Sequence, residues 1–127
     1  LPEVTVDQPW IEGSPIYRQL RERVVAMILE GVLREGDPLP SVRNVAAEYR
    51  INPLTVLKAY QGLADEQLVE KQRGRGMFVR DGARAALLRD ERERFLREQW
   101  PRVRATIERL GFTAEDLLAA PRKEDRR

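Results

Sequence analysis

The 127-residue chain contains no cysteine and no histidine. Those two absences exclude the usual zinc sites, thiol nucleophiles and imidazole bases. Catalysis would fall to carboxylates, lysine or tyrosine, and the sequence gathers no acids around an apolar pocket. An enzyme is therefore not expected, and neither is a cofactor or a metal. Long apolar runs are also missing: none approaches the ~18–20 residues that cross a bilayer. The N-terminus lacks a signal-peptide pattern. A cytoplasmic location with no membrane partner is the expectation. A chain of this length holds one domain, or a small domain with an appendage, and can bury a core without disulfides.

What is present is charge, unevenly placed. Lysine and arginine total 23 against 21 aspartate and glutamate, a net charge of only +2. Residues 1–14 carry Glu3, Asp7 and Glu12 and no base, whereas residues 71–80 carry Lys71, Arg73, Arg75 and Arg80 and no acid. A local basic patch of that kind says more about partners than the total does.

The order of elements is legible along the chain. Residues 1–14 read as an extended arm or short strand followed by a loop. Ser14-Pro15 suits a helix start, with a capping hydroxyl and a proline in the first turn, and Ile16, Leu20, Val24, Met27 and Ile28 follow at helical spacing up to Gly31. "REGDPLP" (34–40) must turn. Ser41 then caps a helix whose apolar positions are Val42, Val45, Ala46 and Tyr49, and Asn52-Pro53 opens the next one. Two short helices joined through Arg50 and Ile51 form a helix-turn-helix pattern. "LVEKQ" and "GMFVR" predict two strands closed by a turn over residues 73–76, a small β-hairpin.

Beyond Asp81-Gly82 the pattern is long and helical. Leu96, Trp100, Val103, Ile107 and Leu110 step by four and three, a coiled-coil-like seam. Pro101 falls inside it, and a kink rather than a break is predicted because the seam keeps its phase. Gly111 suits the end of that helix, Thr113 with Glu115 and Asp116 starts a last short one running to about Ala120, and residues 121–127 form a flexible tail.

The glycines of "EKQRGRGMFVR" (70–80) do not make a phosphate loop. G-x-G lacks its third glycine, and the segment leading to the hairpin is helical, not the opening strand of a βαβ unit. The RNA-recognition strand pattern fails as well, since Arg75 stands where a stacking aromatic is needed and the helical first half leaves no room for a four-stranded sheet. A basic hairpin directly after a helix-turn-helix can instead meet DNA phosphates or the minor groove. A solvated turn is the other reading of the hairpin taken alone.

From Leu39 to Val79, "LPSVRNVAAEYRINPLTVLKAYQGLADEQLVEKQRGRGMFV" resembles the DNA-binding half of the GntR family of bacterial transcription regulators. "PIYRQLRERVVAMILEGVLREGDPLPS" resembles that family's first helix and following turn. "INPLTVLKAY" and the short helical C-terminus resemble the YtrA-type branch. The resemblance implies a mainly α protein with a small β-hairpin: a winged helix-turn-helix over residues 15–80 and a helical dimerisation segment over 81–120. It implies that Arg43, the arginine of an L-P-S-x-R motif, faces DNA; that Asn52 and Thr55 open the recognition helix; and that Arg73, Gly74, Arg75 and Gly76 form the wing tip. Lys58 and Tyr60 are candidate phosphate contacts, with a core role equally open for Tyr60, while Val56, Leu57, Leu63, Leu68 and Phe78 are assigned to the core. Pro53 and Leu54 depart from other branches, where arginine and a polar residue commonly stand, so direct base readout is expected to be thin at this point. Leu54 offers only apolar contact, for example to a thymine methyl.

Leu96, Trp100, Val103 and Ile107 are too apolar to remain in water, and a symmetric dimer would bury them while placing a second reading helix at a second half-site. The alternating charges from Arg89 to Glu98 read as a salt-bridged exposed face. The expected function is a dimeric, sequence-specific regulator of transcription, a repressor on a palindromic operator, with double-stranded DNA and a second copy as partners. A small-molecule effector stays open. The alternative is a winged helix that binds an acidic protein without reading DNA sequence.

Overall fold

The computed structural model describes residues 10–123. Most of the expected arm (residues 1–9) and the end of the expected tail (124–127) lie outside the described residues. The chain divides into two compact units, one ending at Arg89 and the other beginning at Asp90.

The first unit begins with helix α1, Ile16–Leu29. Its start differs from the sequence expectation. Pro15, not Ser14, is the capping residue, and no side chain caps the helix. Gln19 closes the segment instead. Its amide Nε2 donates to the carbonyls of Ile11 and Ser14, both at 2.8 Å, and its Oε1 accepts from the Ile11 N–H at 2.6 Å. A proline fixes φ near the helical value and brings no N–H that needs a partner, so the missing hydroxyl cap costs little. The buried face of α1 is Leu20, Val24, Val25, Met27 and Ile28.

Helix α2, Val42–Tyr49, is capped by the Ser41 hydroxyl, which accepts from the Asn44 N–H at 3.0 Å. It ends at Arg50, which takes the left-handed conformation (φ 56°) with no glycine present. Asn52 then caps α3, Pro53–Asp65, with its Oδ1 accepting from the Leu54 N–H at 2.9 Å. The turn between the two helices is thus built by one strained arginine and one capping asparagine. Val56, Ala59, Tyr60 and Leu63 are the buried face of α3, and α3 packs on both α1 and α2.

Strands β1 (Val69–Gln72) and β2 (Gly76–Val79) pair antiparallel, with Val69 opposite Val79 and Gln72 opposite Gly76. The 34–40 turn does more than reverse the chain. Pro38 bridges Phe78 on β2, the Leu39 N–H donates to the Met77 carbonyl at 2.8 Å, and Gly36 and Asp37 exchange bonds with Val79. This loop therefore straps the hairpin's second strand to the helices, and Leu33 and Leu39 enter the core with it. Helix α4, Ala83–Arg94, contributes Ala83 and Leu87 to the same core, which reaches past residue 80. Outside the core, an Arg21–Glu66 ion pair ties α1 to the end of α3 and raises the Arg21 pKa, chiefly through the hydrogen bond to Glu66.

In the second unit the helix does not break at Pro101. It widens into a π-turn over Phe95–Gln99, in which the Trp100 N–H donates to the Phe95 carbonyl, and continues as α5, Trp100–Leu110. Proline removes one helical hydrogen bond and crowds the carbonyl four residues earlier, and a wide turn just before it relieves both. One extra residue is wound in, and Phe95 becomes the neighbour of Trp100, with ring centroids 6.5 Å apart. Leu96 stands exposed, as do Trp100, Val103 and Leu110. Gly111 (φ 74°) ends α5 as expected. Thr113 and Asp116 then form a reciprocal capping box that starts α6, Ala114–Ala119. The Thr113 backbone N–H, and after it the Thr113 hydroxyl, hold the Asp116 carboxyl below its ordinary range.

Tyr60 supplies a test of this packing. Its hydroxyl donates to the Pro40 carbonyl at 2.7 Å, and burial raises its pKa above the ordinary 10.0. The folded state keeps a proton that the unfolded chain gives up near pH 10, so the stability tied to it is complete below that pH and is lost as pH rises beyond it. Tyr60→Phe is expected to lower the unfolding free energy by about 1–2 kcal/mol at neutral pH. Urea unfolding across a pH series should also show a shallower alkaline loss of stability than in the wild type.

Candidate nucleic-acid interface

The outward side of α3 is the starting point. A helix advances about 100° per residue, so burying Val56, Ala59, Tyr60 and Leu63 turns Leu54, Leu57 and Lys58 to the opposite face. Leu54 is 69% exposed and Leu57 40%. This corrects the assignment of Leu57 to the core: it follows Val56 by one residue and is carried out of the buried sector. The assignments of Val56, Leu63, Leu68 and Phe78 to the core hold.

Tyr60 resolves the other way. At 1% exposure, with its hydroxyl committed to Pro40, it cannot reach a phosphate, and it is withdrawn from the contact set. Asn52 is exposed but its side-chain oxygen already serves as the cap, and Thr55, one turn into the helix, is half-buried. Lys58 is exposed, with its Nζ 4.1 Å from the centre of the Tyr17 ring on α1. Tyr17 in turn accepts a hydrogen bond from Arg18 Nε at 3.3 Å, which lowers the phenol pKa. Sequence reasoning missed this Tyr17–Arg18–Lys58 group, because nothing in the spacing of α1 says which residue of α3 will lie beside it.

Arg43 is exposed on α2, and no ion pair involves it among the described residues, so neither Glu35 nor Glu48 holds it. It shares an open depression of about 570 Å³ with Val42, Ala46, Ala47, Ile51 and Pro53. Arg43 and the start of α3 therefore border one surface. The wing residues form a second group at the hairpin turn. Arg73, Gly74, Arg75 and Gly76 are all exposed, the Arg75 N–H closes the turn on the Gln72 carbonyl at 2.8 Å, and the Arg75 guanidinium lies 5.2 Å from the Phe78 ring centre. Both glycines have positive φ, 76° at Gly74 and 104° at Gly76.

A third feature was not foreseen. The Arg23 guanidinium lies 3.9 Å from the Trp10 ring centre and 5.5 Å from that of Tyr49, and the two rings are 5.3 Å apart. The stack pins residue 10 to α1 and α2. The signal for it was present only as unplaced aromatics.

In the second unit, Trp100 and Val103 are exposed and Ile107 is partly buried. Val103, Thr106, Ile107, Leu110, Phe112 and Leu117, with Arg102, line an apolar groove of about 330 Å³. The charges beside it pair locally, as Arg94 with Glu91 at 3.3 Å and Arg104 with Glu108 at 3.2 Å. Among the described residues no cluster of acids could hold a metal, and no helix is long and apolar enough to cross a membrane.

A helix-turn-helix followed by a basic two-stranded wing defines a class of regulatory proteins, and comparison with known proteins agrees. The profile of the bacterial regulatory proteins of the gntR family matches residues 16–79, half of the chain. The chain belongs to that family, as the sequence motifs imply. The HTH-type transcriptional repressor YtrA of Bacillus subtilis is 40% identical over 76 residues, a match covering 60% of this chain and 58% of the repressor. The chain thus spans less than two thirds of that relative's length. The crystal structure of a transcriptional regulator from Oenococcus oeni superposes with a TM-score of 0.67 at 30% identity, covering 90% of this chain and 93% of that one. The DNA-binding domain of AraR, in complex with operator ORX1, superposes with a TM-score of 0.52 at 26% identity, covering 61% of this chain and 94% of that one.

The wing geometry gives a direct test. A Cβ at Gly76 would meet no atom within 4 Å, so any cost of adding one comes from the backbone conformation alone. Gly76→Ala is expected to destabilise the first unit by about 1–3 kcal/mol. The measurement is the urea midpoint of the two proteins side by side.

Proposed function

We propose that the protein is a sequence-specific, DNA-binding regulator of transcription that acts as a dimer and represses by occupying a two-fold-related operator. The observation that carries this reading is the outward face of α3. Its first turns are exposed, free of acids and bordered by Arg43, while the wing adds Arg73 and Arg75 on small, exposed glycines. In this reading α3 enters the major groove, and Arg43 and Lys58 meet phosphates or base edges at its rim. Arg73, Gly74, Arg75 and Gly76 follow the backbone toward the minor groove. Asn52 and Thr55 stand at the start of the reading helix, with Asn52 acting first as a cap. YtrA's name as a repressor and the operator bound to the AraR domain support the same assignment.

The dimer is proposed from the second unit. Phe95, Leu96, Trp100, Val103 and Leu110 leave apolar side chains open to water on a single chain, and Ile107 lines a groove with Val103 and Leu110. A second copy of the same segment would cover it and would set two reading helices about one helical turn apart. No enzymatic role is proposed, and the protein is placed in the cytoplasm, where its DNA would be.

Two experiments test this reading. Hydroxyl-radical footprinting of the DNA upstream of the protein's own gene should show two protected half-sites, and Arg43→Ala should abolish the protection while leaving the fold intact by circular dichroism. Trp100→Glu should convert a dimer to a monomer in sedimentation. It should also weaken operator binding by about a hundred-fold or more through lost avidity. A wild-type monomer that gives a full footprint would contradict the dimer.

A further inference from the structure

We propose that Leu54 and Leu57 form an apolar reading surface that selects thymine through its C5-methyl group, so that at these positions the protein specifies sequence by apolar contact and not by hydrogen bonds. This rests on the reading of the protein as a DNA-binding regulator and names what its reading helix recognises.

Single exposed leucines are ordinary on protein surfaces. Two of them side by side on the outward face of one short helix, at 69% and 40% exposure, are a different matter. Positions i and i+3 of a helix are neighbours, and this pair lies in the first two turns, the part that a helix-turn-helix places against base edges. Apolar side chains there expose hydrocarbon to water in the free protein, and a partner that covers them gains by it.

The residues around the pair narrow the partner. Pro53 has no N–H to offer. The Asn52 Oδ1 accepts from the Leu54 N–H at 2.9 Å, so that amide is held in the cap orientation with one of its oxygen's two acceptor positions taken. Thr55 is half-buried. The first turn of α3 has therefore little hydrogen-bonding capacity to read with. In the major groove the thymine methyl is the one strongly apolar feature that a base pair presents. The flanks are cationic: Arg43 lines one depression with Pro53, the residue before Leu54, Lys58 follows Leu54 at i+4, and α3 carries no acid before Asp65. An apolar centre with cationic edges complements a thymine-bearing groove between phosphate strands. An acid-free rim of this kind suits an anionic polymer better than a second protein helix.

The test uses the full chain and a duplex enriched by it from a randomised library. Each thymine of the enriched duplex is replaced in turn by deoxyuridine, which removes the methyl and keeps O4 and the base pairing. At one or two thymines of each half-site, affinity should fall by about four-fold per methyl removed. In Leu54→Ala or Leu57→Ala that particular loss should disappear, with the melting temperature unchanged in Leu54→Ala, whose side chain is mostly exposed, and lowered by a few degrees at most in Leu57→Ala. Deoxyuridine without effect at every position, in a protein that still prefers its enriched duplex, would overturn the inference and leave the regulator reading standing. A methyl effect that persists undiminished in both leucine variants would also overturn it. If no sequence is enriched at all, the regulator reading fails first, and the leucine surface belongs to a protein contact.

Discussion

The packing of α3 against α1 is the interaction on which the rest depends. Val56, Ala59, Tyr60 and Leu63 of α3 and Leu20, Val24 and Ile28 of α1 are all buried in one core. Each valine, leucine and isoleucine among them contributes about 1.5–3 kcal/mol on burial, and together the seven leave α3 one rotational setting. Turning α3 about its axis by a single residue would put Leu57 inside and Val56 in water, and Tyr60 would lose its bond to Pro40. The outward face is thus what remains once the inward face is satisfied. The site is a by-product of the core, held rigid by it.

Other parts of the first unit extend that same constraint. The 34–40 loop pairs with β2 and buries Leu33 and Leu39, so the wing is tied to the helices by backbone hydrogen bonds as well as by side chains. Tyr17 on α1 lies against Lys58 on α3, and a residue expected to meet phosphate is steadied by a residue of the scaffold. The second unit follows a different rule. Its helices after residue 94 bury no side chain among the described residues, its proline is accommodated by a π-turn, and its apolar side chains remain open to water.

Much of this was readable in the sequence, for local reasons. Ser41, Asn52 and Thr113 act as caps because a short polar side chain before an apolar run has one good use. Gly74 and Gly76 mark the wing because positive φ there leaves little choice. What stayed hidden depended on phase and on distant partners. Leu57 was assigned inward because leucine is usually buried, yet only the phase of α3 decides its direction. The seam through Leu96 assumed a regular helix, and the π-turn that brings Phe95 beside Trp100 lay outside that assumption. The Trp10–Arg23–Tyr49 stack joins three segments, and no local rule brings them together. Gln19 fixes the segment before α1, with no side chain capping the helix, because its amide reaches back to Ile11 and Ser14. The roles of individual residues in the interface came from family motifs, and the structure added burial, which removed Tyr60 and left Arg43 unpaired by any acid among the described residues.

The central claim is that an outward helix face and a basic wing read DNA sequence. Fluorescence anisotropy of the full chain tests it most directly, with its own upstream duplex and a scrambled duplex of equal length, at low and at near-physiological salt. Six to ten phosphate contacts in a dimer imply a loss of roughly three to five decades of affinity for both duplexes as salt rises from ~50 to ~200 mM. The upstream duplex is expected to stay strongly preferred throughout, because base contacts do not share that salt dependence. Equal affinity for the two duplexes at every salt concentration would contradict it.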